Sequence, residues 1–317
     1  VIYAQLAAGF IYLLGGGDLL VRGAVALARR FQVPETIVAL TIVGLGTSLP
    51  EFVVSVRASL EGHPGLALGN VVGSNIANVL LVGGLAASLL PLRPGDRNIA
   101  RSGVAMIAIS LLFVGLCFQG RGLTRVDGGI LVGLLVVGLA LQLRDTLRAQ
   151  RLGGAPAIEW VLGFPSGLPV IVLFIGIGIV VLPLGATLLV DAAVDIAGRL
   201  GVSETFIGLT VVAVGTSLPE LATTVLAARR KRTGMVVGTI VGSNNFNILA
   251  IMGAAALASG HPVAIPARFF VLDLPVMVCV SIVLVSFPWR RRPIRRGTGV
   301  ALLTAYAIYI GALALLG

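Results

Sequence analysis

Two glutamates in an otherwise apolar chain are the residues best placed to do chemistry. Glu51 closes the run GTSLPE at 46–51, and Glu220 closes a second copy at 215–220. Each run is followed by another polar stretch, GNVVGSNIAN at 69–78 and GTIVGSNNFN at 238–247. Thr36 and Thr205, Glu51 and Glu220, Ser74 and Ser243, and Asn78 and Asn247 all stand 169 positions apart, with no insertion between the copies. Helical spacing puts Thr47, Ser48 and Glu51 on one face, and Ser74 and Asn78 on another. Thr216, Ser217, Glu220, Ser243 and Asn247 repeat the design. These are hard oxygen donors, suited to Ca²⁺ and Na⁺ rather than to softer metals. Two carboxylates would balance one Ca²⁺ or a pair of Na⁺. The bland alternative is a protonated carboxyl bridging two helices, and an intramembrane acid in matched duplicate argues against it.

The surrounding residues prepare the backbone for such a site. Pro50 and Pro219 lack an N–H and free the carbonyls of Gly46 and Gly215. A freed carbonyl in hydrocarbon needs a polar partner, and a cation is one. Gly44 and Gly46 leave room for close approach. Gly69 and Gly73 form a GxxxG, repeated by Gly238 and Gly242, which lets helix backbones meet. Four helices brought together this way would converge two acids, four hydroxyls, two amides and several carbonyls.

The elements that must position these groups are membrane helices. The chain has 317 residues, 57% of them hydrophobic and 11% charged, with a mean hydropathy of +1.05; soluble domains carry about 25% charged residues. Spans of about 20 residues are expected at 4–28, 36–59, 67–90, 100–119, 126–147, 167–197, 205–227, 235–258, 265–287 and 298–316. The net charge of +10 sits in the loops between them, which argues for topology rather than nucleic acid. With both termini outside, 17 of the 23 Arg and Lys residues fall on the inner side and 5 on the outer, as the positive-inside rule asks.

Five spans separate equivalent points of the two copies, an odd number, so the second copy is inverted relative to the first. The expected fold is an all-α polytopic membrane protein of ten transmembrane helices arranged as two inverted five-helix repeats. They cover 1–142, with its motif at 36–78, and 161–317, with its motif at 205–247. A short cytoplasmic connector at 143–160 joins them.

Other residues are read as structural. Cys117 and Cys279 lie in apolar runs without disulfide or metal spacing. The apolar start at 1–14 lacks the basic lead of a signal peptide and reads as part of the first helix. His63 and His261 sit in Gly-His-Pro turns and read as loop residues. Arg22 and Asp191 occupy equivalent positions, which allows a charge pair between the first and sixth helices. Asp18, Asp191, Asp195 and Asp273 read as structural pairing or as exposed near the helix ends. Glu35 and Glu204 open the motif helices, where an acid suits the positive helix end. No nucleotide-binding motif appears, and no enzyme activity or cofactor is expected.

The paired motifs GTSLPE with GNVVGSNIAN, and GTSLPE with GTIVGSNNFN, closely resemble the alpha-repeats of the sodium/calcium exchanger family, within the cation/Ca²⁺ antiporter superfamily. The length and short connector resemble its prokaryotic members. The resemblance implies an antiporter exchanging Na⁺ for Ca²⁺ by alternating access in the inner or plasma membrane, with Ca²⁺, Na⁺ and the lipid bilayer as its partners. It needs no nucleic acid and no second copy. Glu51 and Glu220 match acidic ligands shared by Ca²⁺ and Na⁺. Ser48, Ser74, Ser217 and Ser243 match hydroxyl ligands of Na⁺. Thr47 and Thr216 match positions giving backbone carbonyls to Ca²⁺, and Gly44 and Ala213 match carbonyl donors to Na⁺. Asn78 matches a central polar position, and Asn247 stands where several relatives have Asp, which speaks against potassium co-transport. The GNxxE pattern of the proton/calcium branch is absent, since Val71, Val72 and Gly73 follow Asn70. A proton-coupled exchanger at the same site is the alternative, and a channel or scaffold is a rival of another class.

Overall fold

The computed structural model describes residues 2–31, 46–92, 97–120, 122–151, 165, 167–229 and 233–316. Its helices are α1 (Ile2–Arg30), α2 (Leu49–Leu60), α3 (Pro64–Leu89), α4 (Arg97–Gly120), α5 (Arg125–Arg151) and α6 (Leu168–Leu200). They continue with α7 (Glu204–Thr216), α8 (Leu218–Arg229), α9 (233–258), α10 (Phe269–Trp289) and α11 (Arg296–Leu316). Eight helices among the described residues are long and apolar enough to cross a membrane, and there are nine if the bent pair α7–α8 is counted as one span. The expected span 36–59 runs onto residues 32–45, outside the described ones; α2 is its second half. The connector expected at 143–160 also falls largely outside them, and α5 runs on to Arg151.

Burial divides the helices by role. The spans of α3 and α9 are 83% and 78% buried, against 11% for that of α5. In water so much exposed hydrocarbon would be costly; in lipid it is the expected outer surface. Val136, Val137 and Leu141 on α5 and Leu173, Ile179 and Val180 on α6 face outward. A two-stranded antiparallel ladder, β1 (Gly122–Leu123) on β2 (Val263–Ala264), joins the α4–α5 turn to the α9–α10 loop. Nothing in the sequence announced it.

Both signature helices break where proline demands it. Gly46 is helical, Thr47 and Ser48 form a turn, and α2 starts at Leu49 with Pro50 in its first turn. The second copy breaks at Ser217, and the axis bends by 41° between α7 and α8. There the Ser217 N–H closes the last turn of α7 on the carbonyl of Ala213 at 3.1 Å. Proline thus sets the break, and the turn partly re-satisfies the backbone.

Close glycine contacts set the helix crossings. A Cβ on Gly69 would lie 2.8 Å from the carbonyl oxygen of Thr205, and one on Gly73 would lie 2.8 Å from Ala213 Cβ. The first GxxxG therefore seats α3 of one half on α7 of the other. Gly238 and Gly242 have no described residue within 4 Å of an added Cβ. The long α6, with 33 residues, spans about 50 Å at 1.5 Å per residue and so must tilt in a bilayer. It runs along α1 through a small-residue seam. A Cβ on Gly185 would come 2.8 Å from Leu13 N, and one on Gly9 would come 2.9 Å from Leu189 N. The helix ends at Gly201, whose φ of +65° is the left-handed cap that glycine takes without strain.

Candidate functional site

The two acids meet at the centre through hydroxyls exchanged between halves. Ser48 Oγ donates to Glu220 Oε1 at 2.9 Å, and Ser217 Oγ donates to Glu51 Oε1 at 3.2 Å. Because 48 pairs with 217 and 51 with 220 at the same 169 spacing, the two contacts are equivalent by exchange of halves. Ser243 Oγ reaches Glu220 Oε1 at 3.4 Å, and Ser74 Oγ donates to the carbonyl of Ala213 at 3.4 Å. Glu51, Glu220, Ser48, Ser74, Ser217 and Ser243 are all buried.

The amides obey the same exchange. Asn78 Nδ2 donates to Asn244 Oδ1 at 3.1 Å, and Asn247 Nδ2 donates to Asn75 Oδ1 at 3.0 Å. A π-helical segment opens at each central asparagine, Asn78–Gly83 in α3 and Asn247–Met252 in α9. Such wider turns are common at functional sites.

The chemistry of the donor set is plain. Four buried oxygens of these acids and amides have no hydrogen-bond partner among the described residues: Oε2 of Glu51, Oε2 of Glu220, Oδ1 of Asn78 and Oδ1 of Asn247. They form two pairs related by the same exchange. None of the ion pairs among the described residues includes either glutamate. Two buried carboxylates held by neutral hydroxyls need a cation or protons to balance them. Among the described residues no cluster of three His, Cys, Asp or Glu exists, so any ion here is met by two acids and neutral oxygens. That composition suits Ca²⁺ or Na⁺.

Ten of the twelve sequence-designated residues are gathered at or beside this centre by direct contacts: Glu51, Glu220, Ser48, Ser217, Ser74, Ser243, Asn78, Asn247, Ala213 and Thr216. Thr216 Oγ1 donates to Asn70 Oδ1 at 3.1 Å and to the carbonyl of Val212 at 3.0 Å. Thr47 stands, half-buried, in the turn before Ser48. Gly44 lies outside the described residues.

Several partners were not singled out from the sequence. Asn70 Nδ2 donates to Ser55 Oγ at 2.9 Å and to the Glu51 carbonyl at 3.4 Å, tying α3 to α2 behind the acid. On the other half Thr224 Oγ1 donates to the Glu220 carbonyl at 2.7 Å. Asn75 and Asn244 belong to the quoted motifs but lie off the face shared by Ser74 and Asn78; their own 169 spacing was the available signal. His63, read as a loop residue, sits 3.1 Å from both carboxylate oxygens of Glu204 and links the start of α3 to the start of α7. Arg22 pairs with Asp18 on its own helix at 2.8 Å, not with Asp191. Asp273, fully buried, accepts from Tyr309 at 2.9 Å and faces Arg268 at 3.5 Å.

With this geometry in hand, the comparisons agree. The family described as "Sodium/calcium exchanger protein" matches residues 1–144 and 170–315. The chain is 36% identical over 314 residues to "Inner membrane protein YrbG" of Escherichia coli (strain K12), covering 98% of this chain and 96% of that one. It is 30% identical over 342 residues to "Sodium/calcium exchanger MaX1" of Methanosarcina acetivorans, covering 96% of each. Among solved structures it is similar to the sodium-calcium exchanger NCX_Mj soaked with 2.5 mM Na⁺ and 10 mM Sr²⁺. That likeness has a TM-score of 0.66 and 31% identity, and covers 98% of both chains.

Proposed function

The chain belongs to the sodium/calcium exchanger family, and from that premise we propose that it is an antiporter expelling Ca²⁺ against inward Na⁺ by alternating access. It is a multi-pass membrane protein of a transporter family. The observation that carries the reading is the set of four unpartnered oxygens on Glu51, Glu220, Asn78 and Asn247. Ca²⁺ and Na⁺ compete for them because both seek hard oxygen, while one divalent ion balances the two acids that monovalent ions otherwise share. Ser48, Ser74, Ser217 and Ser243 supply hydroxyl ligands beside the acids. Thr47, Thr216, Gly44 and Ala213 supply backbone carbonyls at the broken helices.

In this reading the fold is ten spans in two inverted repeats, with both termini outside and the connector in the cytoplasm. The reciprocal contacts at 169 spacing support the inversion. Inner or plasma membrane placement follows the relative described as an inner membrane protein. Every ligand comes from one chain, so a monomer suffices. The moving part is the α1–α6 pair, held together by its glycine seam. Its α1 residues Val21 and Phe10 lie against Gly46 and Gly215, the glycines that open the two signatures. Sliding this pair would uncover the site on one side and cover it on the other.

The test is radioactive Ca²⁺ flux in proteoliposomes under imposed gradients. A Na⁺ gradient should drive Ca²⁺ movement, and a pH gradient alone should not. Flux under the pH gradient alone would make the protein a proton-coupled exchanger; flux without any counter-ion would make it a channel.

A further inference from the structure

An amide, unlike a carboxylate, has a right way round. Asn78 and Asn247 are useful to a cation only if their oxygens face it and their nitrogens face away. Rotation by 180° would put an NH₂ group against the ion. Something must therefore fix each amide's sense.

The packing around them shows what does. Asn247 Nδ2 donates to Asn75 Oδ1 at 3.0 Å, and Asn78 Nδ2 donates to Asn244 Oδ1 at 3.1 Å. These acceptors are themselves amides, so the question moves one step back. Asn244 Nδ2 donates to the backbone carbonyl of Asn75 at 3.1 Å, and Asn75 Nδ2 points at the backbone carbonyl of Asn244 at 3.5 Å and at Met277 Sδ at 3.7 Å. A backbone carbonyl only accepts, so it decides which end of the amide faces it. The order runs from two fixed carbonyls, through Asn75 and Asn244, to Asn247 and Asn78. All four side chains are at least 99% buried, so water does not compete. The outcome is that Oδ1 of Asn78 and Oδ1 of Asn247 are left without a protein partner.

We propose that Asn75 and Asn244 are positioning residues that lock the amides of Asn78 and Asn247 with their oxygens toward the transported cation. The proposal rests on the reading of that cage as the cation site. It explains why an asparagine, not merely a polar residue, stands at 75 and at 244. Aspartate there would turn an oxygen on the partner's carbonyl, and an aliphatic residue would leave the neighbouring amide free to turn.

A double-mutant cycle tests it. A carboxylate at 247 presents oxygen whichever way it turns, so it needs no orienting partner. It would also place an oxygen against Asn75 Oδ1, so that removing Asn75 relieves a repulsion. Asn75→Leu in the native background should weaken the half-saturating Ca²⁺ concentration by about tenfold or more, the scale of one lost bond to a charged group. The maximal rate should change less. In an Asn247→Asp background the same Asn75→Leu change should cost nothing or tighten Ca²⁺ binding. Asn244→Leu with Asn78→Asp should behave alike. Equal losses in both backgrounds would make Asn75 a packing residue and overturn the proposal. Asn75→Ala serves as the second variant if Asn75→Leu does not fold. Equilibrium binding of radioactive Ca²⁺ to the purified native protein, measured first, separates the two claims. No binding there overturns the site itself, whereas binding followed by equal losses overturns only the positioning role.

Discussion

Ser48 holds Glu220 at 2.9 Å although the two belong to opposite halves of the chain. Its counterpart, Ser217 on Glu51 at 3.2 Å, repeats the exchange. Neither half can therefore complete an acid's surroundings alone, and the site exists only where the halves meet.

Glutamine tests the charge while keeping the shape. Glu51→Gln and Glu220→Gln preserve an oxygen for the serine donor, so the fold should survive with an unchanged melting temperature. Each should lower Na⁺-dependent Ca²⁺ flux by on the order of 100-fold, because a neutral amide in a low-dielectric site forfeits most of the attraction for a divalent ion. Normal flux in either variant would remove the shared-ligand role.

Charge can also be added. Asn247→Asp places a third carboxyl beside the two acids. It should shift preference toward Ca²⁺, since the attraction to added negative charge is doubled for a divalent ion. The ratio of half-saturating Ca²⁺ to half-saturating Na⁺ measures this. An unchanged ratio would take position 247 out of the site.

The α3–α7 crossing should tolerate no added bulk. Gly73→Ala puts a methyl 2.8 Å from Ala213 Cβ and from the Leu209 carbonyl. It should destabilise the protein by about 1–3 kcal/mol, read as a lower melting temperature in detergent. Gly129→Ala, where an added Cβ meets nothing within 4 Å, is the control and should leave the melt unmoved.

Movement of α1 over the signatures can be arrested. Phe10 lies against Gly215, so Phe10→Cys with Gly215→Cys places two thiols across the α1–α7 contact. Cys117→Ser and Cys279→Ser supply the background. A short cleavable thiol cross-linker should stop exchange, and cleaving it should restore the rate. Exchange that continues after complete cross-linking would show that α1 does not slide there.

His63 and Glu204 join the starts of α3 and α7, yet both are partly exposed. Glu204→Gln should cost only about 0.2–1 kcal/mol, with transport kept. A large loss of flux would give this pair a role beyond fastening.

The sequence by itself determined the class of protein, the two motifs and most of the residues that the fold brings together at its centre. Apolar runs matched to a bilayer's thickness are a local property. So is the 169-residue echo that marks Glu51, Glu220 and the serines as partners. Proline at 50 and 219 marked the irregular backbone of both signatures, though each was read as one continuous span. Tertiary structure alone decided who touches whom: that Ser48 serves the distant Glu220, that Gly69 and Gly73 seat α3 on α7, that Arg22 turns to Asp18, and that β1 finds β2. It alone decided which end of each central amide faces the cage. Helical periodicity fixes the direction of a side chain about its own axis. The partner it meets depends on how two axes cross, and an amide's sense depends on the acceptors that crossing brings within reach.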